Sequence, residues 1–372
     1  MFTLMYPTKI IFGEGVLELL GKEAKCLGTK ALLVTGRSAM QRAGALDRVR
    51  QILMSRGLGT CLFDHVERDP CLSIVDRGVE LARSEECDLV VALGGGSAID
   101  VGKAIAVIAG QEGTIWDYHR GREIENSGLP FVAIPTTAGT GAEITNNAVL
   151  IDREKEVKKS LRSPMMIARL ALVDPELTVT MPPEITAQTG MDALTQAIEA
   201  YVTRASNPVT DILALRAAEI IYHNLPVAVE DSHNRQARYQ MALGSLLGAM
   251  AFSNSGLGAV HGLAHPIGAL FNIPHGLVCA VLLPHVMSFN LQSSRDKYYQ
   301  LAVAFGADTA EGSIEKIREL ERRIKIPESF KGYGISEFDL DRIVSGARSS
   351  SMSKNPREAS DEELKGILLA VI

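Results

Sequence analysis

What most constrains this chain is a local plan repeated through its first half: an apolar run, a turn of small residues, then a helical pattern. KALLVTG (30–36) reads as a buried strand, followed by a helix through Leu46 to Arg56. TCLFDHV (60–66) reads as another strand, with a helix through roughly Ile74 to Ser84. CDLVVALGGGS (87–97) runs from strand into glycines, and AIDVGKAIAVIAG continues as a helix. LPFVAIPTTAGTGAE (129–143) repeats the strand-to-glycine-loop plan. Alternation of this kind predicts parallel strands joined by right-handed crossovers, hence a doubly wound, Rossmann-like α/β domain.

Near VDPELTVTMPPE (173–184) the pattern changes, with Pro175, Pro182 and Pro183 as punctuation. Beyond it there is helical periodicity without convincing strands. The expected division is an α/β nucleotide domain over 1–184 and an all-helical domain over 185–372. A length of 372 residues agrees, because single cores stop growing at roughly 250–300 residues.

Composition narrows the partners. A net charge of −6 with no basic block argues against nucleic acid or an anionic membrane surface. No segment reads as the roughly 20 apolar residues of a membrane span, and the start, MFTLMYPTKIIFGEG, has no basic leader before an apolar run. Five cysteines, none in a CxxC, read as ordinary thiols in a reducing, cytoplasmic setting.

Two stretches carry candidate chemistry. HGLAHPIGALFNIPHG (261–276) holds His261, His265 and His275. The first two are four apart and share a helix face, and a Phe-Asn-Ile-Pro turn can fold the third back towards them. GMDALTQAIEAY (190–201) is a helix pattern with Asp192 and Gln196 on one face. A carboxylate with convergent imidazoles is a ligand set for a divalent transition metal. Nothing local brings Asp192 to the histidines.

The glycine loops suit an anion. Gly94, Gly95, Gly96 and Ser97 end a buried strand and open a helix, whose first N–H groups and dipole favour a phosphate. The GxGxxG fingerprint is absent. The second loop offers the hydroxyls of Thr136, Thr137 and Thr140 for cofactor contacts, and both loops follow strands at the carboxyl edge of the sheet.

Together the motifs PTKIIFGEG, GGGSAIDVGKAIA, PTTAGTGAEIT, LVDPEL, GMDAL-QAIEAY and HGLAHPIGALFNIPHG resemble the iron-containing (group III) alcohol dehydrogenase family across nearly the whole chain. The resemblance implies the same two-domain fold with the active site in the cleft between domains. It also implies a metal, Fe²⁺ or Zn²⁺, held by one aspartate and three histidines. Asp192, His261 and His275 match three of those positions, and the fourth is Gln196 instead of histidine. A neutral amide oxygen is a weaker donor than imidazole, so Gln196 ligates, water fills the gap, or affinity falls.

By the same resemblance His265 matches the residue near the substrate that takes part in proton transfer. Asp100 matches a carboxylate near the nicotinamide, and Lys158 a lysine that approaches the cofactor, with Lys159 as its neighbour. Asn147, grouped with the cofactor residues, and Phe252 match positions lining the substrate side. Gly36, Arg37 and Ser38 stand where many NAD-preferring members carry an aspartate at the first of the three. Without a negative charge there, and with donors in Arg37 and Ser38, NADP(H) is favoured over NAD(H).

The implied reaction is reversible hydride transfer between a small primary alcohol or aldehyde and nicotinamide, with the metal as Lewis acid. The rivals are a metal-independent reductase of the maleylacetate reductase type, prompted by Gln196, a dehydroquinate synthase-like lyase, and a non-catalytic filament. Resemblance also implies a homodimer or higher homo-oligomer.

Overall fold

The computed structural model describes residues 1–155 and 157–372. The chain divides into two compact units, Tyr6–Thr137 with Gly141–Thr180, and Met181–Ile372 with Met1–Met5 and Ala138–Thr140. Two short pieces from the first half of the sequence thus belong with the helical half.

The α/β unit is built on a six-stranded sheet. Its strands are β1 (Lys9–Phe12), β2 (Lys30–Gly36), β3 (Gly59–Val66), β4 (Leu89–Gly94), β5 (Phe131–Pro135) and β8 (Leu170–Val173), in the order β1-β8-β5-β4-β2-β3. All neighbours pair in parallel. Side chains alternate along each strand, so an apolar run can feed two cores. In β4, Val90 and Ala92 enter the core beneath the helices Leu72–Ser84 and Gly96–Ala109, while Leu89, Val91 and Leu93 enter the opposite one, beneath Ala45–Ser55.

The chain winds outward from β2 to β3, then crosses back to place β4 on the other side of β2. This is the point at which a doubly wound sheet opens a crevice at its carboxyl edge. The ends of β2 and β4 are tied there by Thr35 Oγ1 donating to the Leu93 carbonyl at 2.8 Å.

A feature the sequence reading lacked is an antiparallel hairpin, β6 (Asn147–Asp152) with β7 (Val157–Arg162). It is fastened to the sheet layer by the helix Gly96–Ala109. Val149 N–H donates to Asp100 Oδ2 at 2.9 Å, and Lys103 Nζ donates to the carbonyls of Asn147 (2.7 Å) and Ala142 (2.8 Å).

The second unit contains helices and turns, with no strand among its described residues. At its centre is Pro183–Val202, 16 of whose 20 residues are buried, as expected of a helix surrounded by others. Around it pack Pro208–Glu230, Arg235–Ser255, Ala259–Phe271 and His275–Asn290, all contributing to one core. Asn207 caps the first of these, accepting from Val209 and Thr210 N–H.

Two stretches here, Pro208–Glu230 and His275–Phe305, do have the length and apolarity of a membrane span. That corrects the expectation that no segment would. Much of each apolar window, 44% and 61%, is buried inside the unit, so the apolarity serves helix packing.

Candidate functional site

The helical unit brings distant residues to one point through close backbone packing. Asp192, Gln196 and Glu199 occupy positions i, i+4 and i+7 of Pro183–Val202 and so share a stripe. His275 opens its helix directly after Pro274, and Gly276 lets that turn press on the aspartate helix. A Cβ on Gly276 would lie 2.2 Å from the Gln188 carbonyl oxygen, so any side chain would push the helices apart. The preceding helix ends at Asn272, whose φ of 53° is the left-handed cap that turns the chain back.

Asp192 Oδ1 lies 3.4 Å from His261 Nε2 and 3.9 Å from His275 Nε2. The His261 and His275 rings meet edge-on with centroids 5.4 Å apart, and His265 stacks on His275 at 5.5 Å. Asp192, Gln196 and His261 are each less than 5% exposed, whereas His265 is half-buried. The three histidines and Asp192 singled out in the sequence therefore do converge.

Two buried oxygens in this cluster, Asp192 Oδ1 and Gln196 Oε1, have no hydrogen-bond partner. Orphaned buried acceptors are rare and call for an absent donor or cation. The charges agree. Burial works to raise the Asp192 carboxyl, but His261 and His275, with the Gln196 amide beside it, hold it below its ordinary range. Burial opposes a charge on His261, yet Cys279, Glu199 and Asp192 raise its pKa well above that of a free imidazole. A cluster that recruits a proton in this way is one that a divalent cation fits.

Sequence reasoning missed Glu199. Its Oε2 accepts from His261 Nδ1 at 2.6 Å and its Oε1 from Val260 N–H at 2.7 Å. It thereby holds the proton on Nδ1, so that the lone pair falls to Nε2 once the ring gives up its second proton to a metal, as with carboxylates behind metal-binding histidines. It also caps the N-terminus of Ala259–Phe271, where a negative charge is favourable. The i+7 spacing from Asp192 was the available signal. Cys279, one turn after His275 and fully buried, was also passed over; its Sγ lies 3.6 Å from His275 Nε2.

In the α/β unit the glycine loop is a cradle. Gly94 ends β4 with φ +155°, and a Cβ there would lie 2.7 Å from Ala98 Cβ. The helix Gly96–Ala109 begins with no side-chain cap on Gly95, leaving its N-terminus open to a ligand. Thr136 N–H donates to the Gly94 carbonyl at 3.0 Å, and Thr137 packs against Gly95, so these two loops are adjacent. Ser97 and Thr137 are half-buried at this rim, while Thr136 is buried. Thr140 instead belongs to the helical unit, where Gly139 packs against Thr189.

Other expected cofactor residues already have protein partners. Asp100 holds β6, with Lys103 Nζ 3.7 Å away. Burial raises the Asp100 carboxyl and lowers the Lys103 ammonium, each countered by the other's charge. Lys158 is bonded to Asp69, and Lys159, on the opposite face of β7, donates to the His119 carbonyl. Gly36 ends β2, Arg37 and Ser38 are exposed beyond it, and Arg37 is bonded to Glu67. Asn147 begins β6, and Phe252 packs half-buried on the helical core.

Comparison with known proteins decides the family. Residues 7–175 match the family described as iron-containing alcohol dehydrogenase, and residues 186–372 its C-terminal part. The chain belongs to the iron-containing alcohol dehydrogenase family. It is 38% identical to a 1,3-propanediol dehydrogenase of Klebsiella pneumoniae, over 99% of this chain and 98% of that protein. It is likewise 38% identical to an NADPH-dependent butanol dehydrogenase of Clostridium saccharobutylicum, over 100% and 97%. A solved 1,3-propanediol oxidoreductase superposes with a TM-score of 0.95 at 38% identity, covering 99% of each chain. The chain is accordingly an NAD(P)-dependent alcohol dehydrogenase and aldehyde reductase whose Asp192, His261, His275 and Cys279 form a cluster that can hold a metal ion.

Proposed function

We propose that this dehydrogenase interconverts a small primary alcohol and its aldehyde, using NADP(H) in preference to NAD(H). The observation that carries the metal-dependent reading is the orphaned Asp192 Oδ1, buried beside two imidazole nitrogens at 3.4 and 3.9 Å. Asp192, His261 and His275 would hold a divalent metal, Fe²⁺ or Zn²⁺, with Gln196 offering an amide oxygen. When bound, that metal supplies Lewis acidity toward the substrate oxygen, and the nicotinamide supplies or accepts the hydride.

The chain's own residues do the rest. Glu199 keeps His261 in one tautomer, and burial of Asp192, Gln196 and His261 keeps water from competing for the site. His265, half-buried and stacked on His275, is placed to hold or release at a ring nitrogen the proton that accompanies the hydride. Gly94 to Ser97, with Thr136 and Thr137, cradle the cofactor phosphates at the carboxyl edge of β4. Thr140, Asp100, Asn147 and Lys158 complete the proposed cofactor set, and Phe252 the substrate side.

Preference for NADP(H) is supported by the absence of a carboxylate at Gly36 and by Arg37 and Ser38 beyond it. The Arg37–Glu67 bond must open for Arg37 to meet a 2′-phosphate; both side chains are well exposed, so this costs little. The five cysteines are free thiols, which fits the proposed cytoplasmic setting. We extend the proposal to a homodimer or larger homo-oligomer.

The test is NADPH oxidation with a panel of short aldehydes, using enzyme stripped by chelator and then given back Fe²⁺ or Zn²⁺. Activity lost on stripping and restored by metal is the expected result. Activity indifferent to metal would transfer the chain to the metal-independent reductases.

A further inference from the structure

A thiol stands where a fourth strong donor belongs. Cys279 lies one helical turn beyond His275 on His275–Asn290 and is fully buried. Its Sγ is 3.6 Å from His275 Nε2 and 4.0 Å from His261 Nε2. One donor atom each from Asp192, His261, His275 and Cys279 lies within 4.8 Å of the others. Metal bonds of about 2.0–2.1 Å to nitrogen or oxygen and about 2.3 Å to sulfur, at tetrahedral angles, put neighbouring donors about 3.4–3.6 Å apart. Asp192 Oδ1 and Cys279 Sγ each lie 3.4 to 4.0 Å from the Nε2 atoms of His261 and His275, close to that spacing before any ion draws them in. A cysteine that only fills space meets apolar neighbours, whereas this one faces two imidazoles. Beside them are the two buried oxygens that lack a partner, Asp192 Oδ1 and Gln196 Oε1.

We propose that the Cys279 thiolate is a direct ligand of the metal, making an Asp-His-His-Cys donor set and tuning the centre toward Zn²⁺ over Fe²⁺. The inference rests on the metal-dependent reading above. Gln196, at the position where family members place a third histidine, offers only a neutral amide oxygen. The thiolate restores a strong donor from the neighbouring helix. With Asp192 it also matches the two positive charges of the ion, leaving a neutral shell in a buried place where net charge is unfavourable. Sulfur is a soft donor, which suits Zn²⁺ better than a nitrogen and oxygen shell does. The thiol proton passes to solvent as the metal–sulfur bond forms.

The experiment uses the full-length protein, stripped of metal and titrated with Co²⁺ as a spectroscopic stand-in. The wild type is expected to show a near-ultraviolet sulfur-to-cobalt charge-transfer band that saturates at one ion per chain. In C279S the visible cobalt bands persist and that band is lost, while Zn²⁺ affinity, read by chelator competition, falls roughly 100-fold. X-ray absorption on the zinc-loaded wild type decides the matter without a variant, by the presence of one scatterer at about 2.3 Å. Cobalt uptake without the band, a band surviving in C279S, or a zinc shell without sulfur overturns the thiolate ligand and leaves the metal site standing. No uptake of cobalt by the wild type overturns both.

Discussion

Replacing Glu199 with glutamine keeps the shape of the side chain and removes one of its two acceptors. Glu199 receives two N–H groups at 2.6 and 2.7 Å, from His261 Nδ1 and from Val260. Glutamine has one oxygen and one NH₂, so one of those donors must face another donor. If the NH₂ faces His261, the ring moves its proton to Nε2 and loses the lone pair that a metal needs. Losses of this kind are worth about 10–100-fold in metal affinity, or about 1.4–2.7 kcal/mol. If the NH₂ faces Val260, a buried helix N–H goes unsatisfied at about 1–3 kcal/mol of stability. Zinc affinity by chelator competition, together with thermal melting of the metal-free protein, reads both branches. Affinity within about threefold of wild type and an unchanged melting curve would show that Glu199 does not hold His261 in place.

Glu321 predicts a pH dependence. Burial raises its carboxyl to about 8, and its Oε1 has no hydrogen-bond partner. A raised carboxyl pKa means the folded state holds the proton, so this group lowers stability progressively as pH rises from its ordinary 4.5 to about 8. E321Q should match wild type at pH 4.5 and melt higher at pH 8 and above, by on the order of 1–2 kcal/mol for this half-buried group; equal melting differences at both pH values refute it. K103M, by removing the buried donor that ties Ala142, Thr145 and Asn147 to Asp100, should destabilise the protein by about 3–5 kcal/mol in thermal melting. R37A should weaken NADPH binding by roughly 3- to 10-fold in fluorescence titration while leaving NADH unchanged, since an exposed charge contributes about 1 kcal/mol; equal effects on both cofactors would remove Arg37 from 2′-phosphate recognition. H261A should abolish zinc binding and leave NADPH affinity unaltered.

Strands β2, β4 and β5 were legible because parallel strands buried on both faces must be apolar throughout, as KALLVTG and LVVALG are, while the edge strand β3 keeps Asp64 and His65 in a run marked by its β-branched and aromatic residues. The hairpin was not, because β7, VKKSLR, is polar on most positions and its buried contacts depend on Lys158 and Lys159 finding Asp69 and the His119 carbonyl. The convergence of His261 and His265 was visible in their spacing. That Asp192 meets them came only from family resemblance, since it depends on Gly276 packing against the Gln188 carbonyl. Glu199 and Cys279 were hidden for a different reason. Glu199 lies on a helix with several polar positions, so only its i+7 spacing from Asp192 sets it apart, and Cys279 lies on an apolar helix where a cysteine reads as core.

The placement of β1 sets a timetable for synthesis. Within the sheet this strand pairs with β8 alone, Lys9 opposite Leu170, so it has no partner until a segment made much later emerges. At ~5–20 residues per second on the ribosome, that is a wait on the order of 10–30 s. During that interval KIIF is an unpaired apolar edge on a growing chain, the kind of surface that recruits the wrong strand. The arrival of LALV ends that exposure before the helices from Pro183 onward have been made.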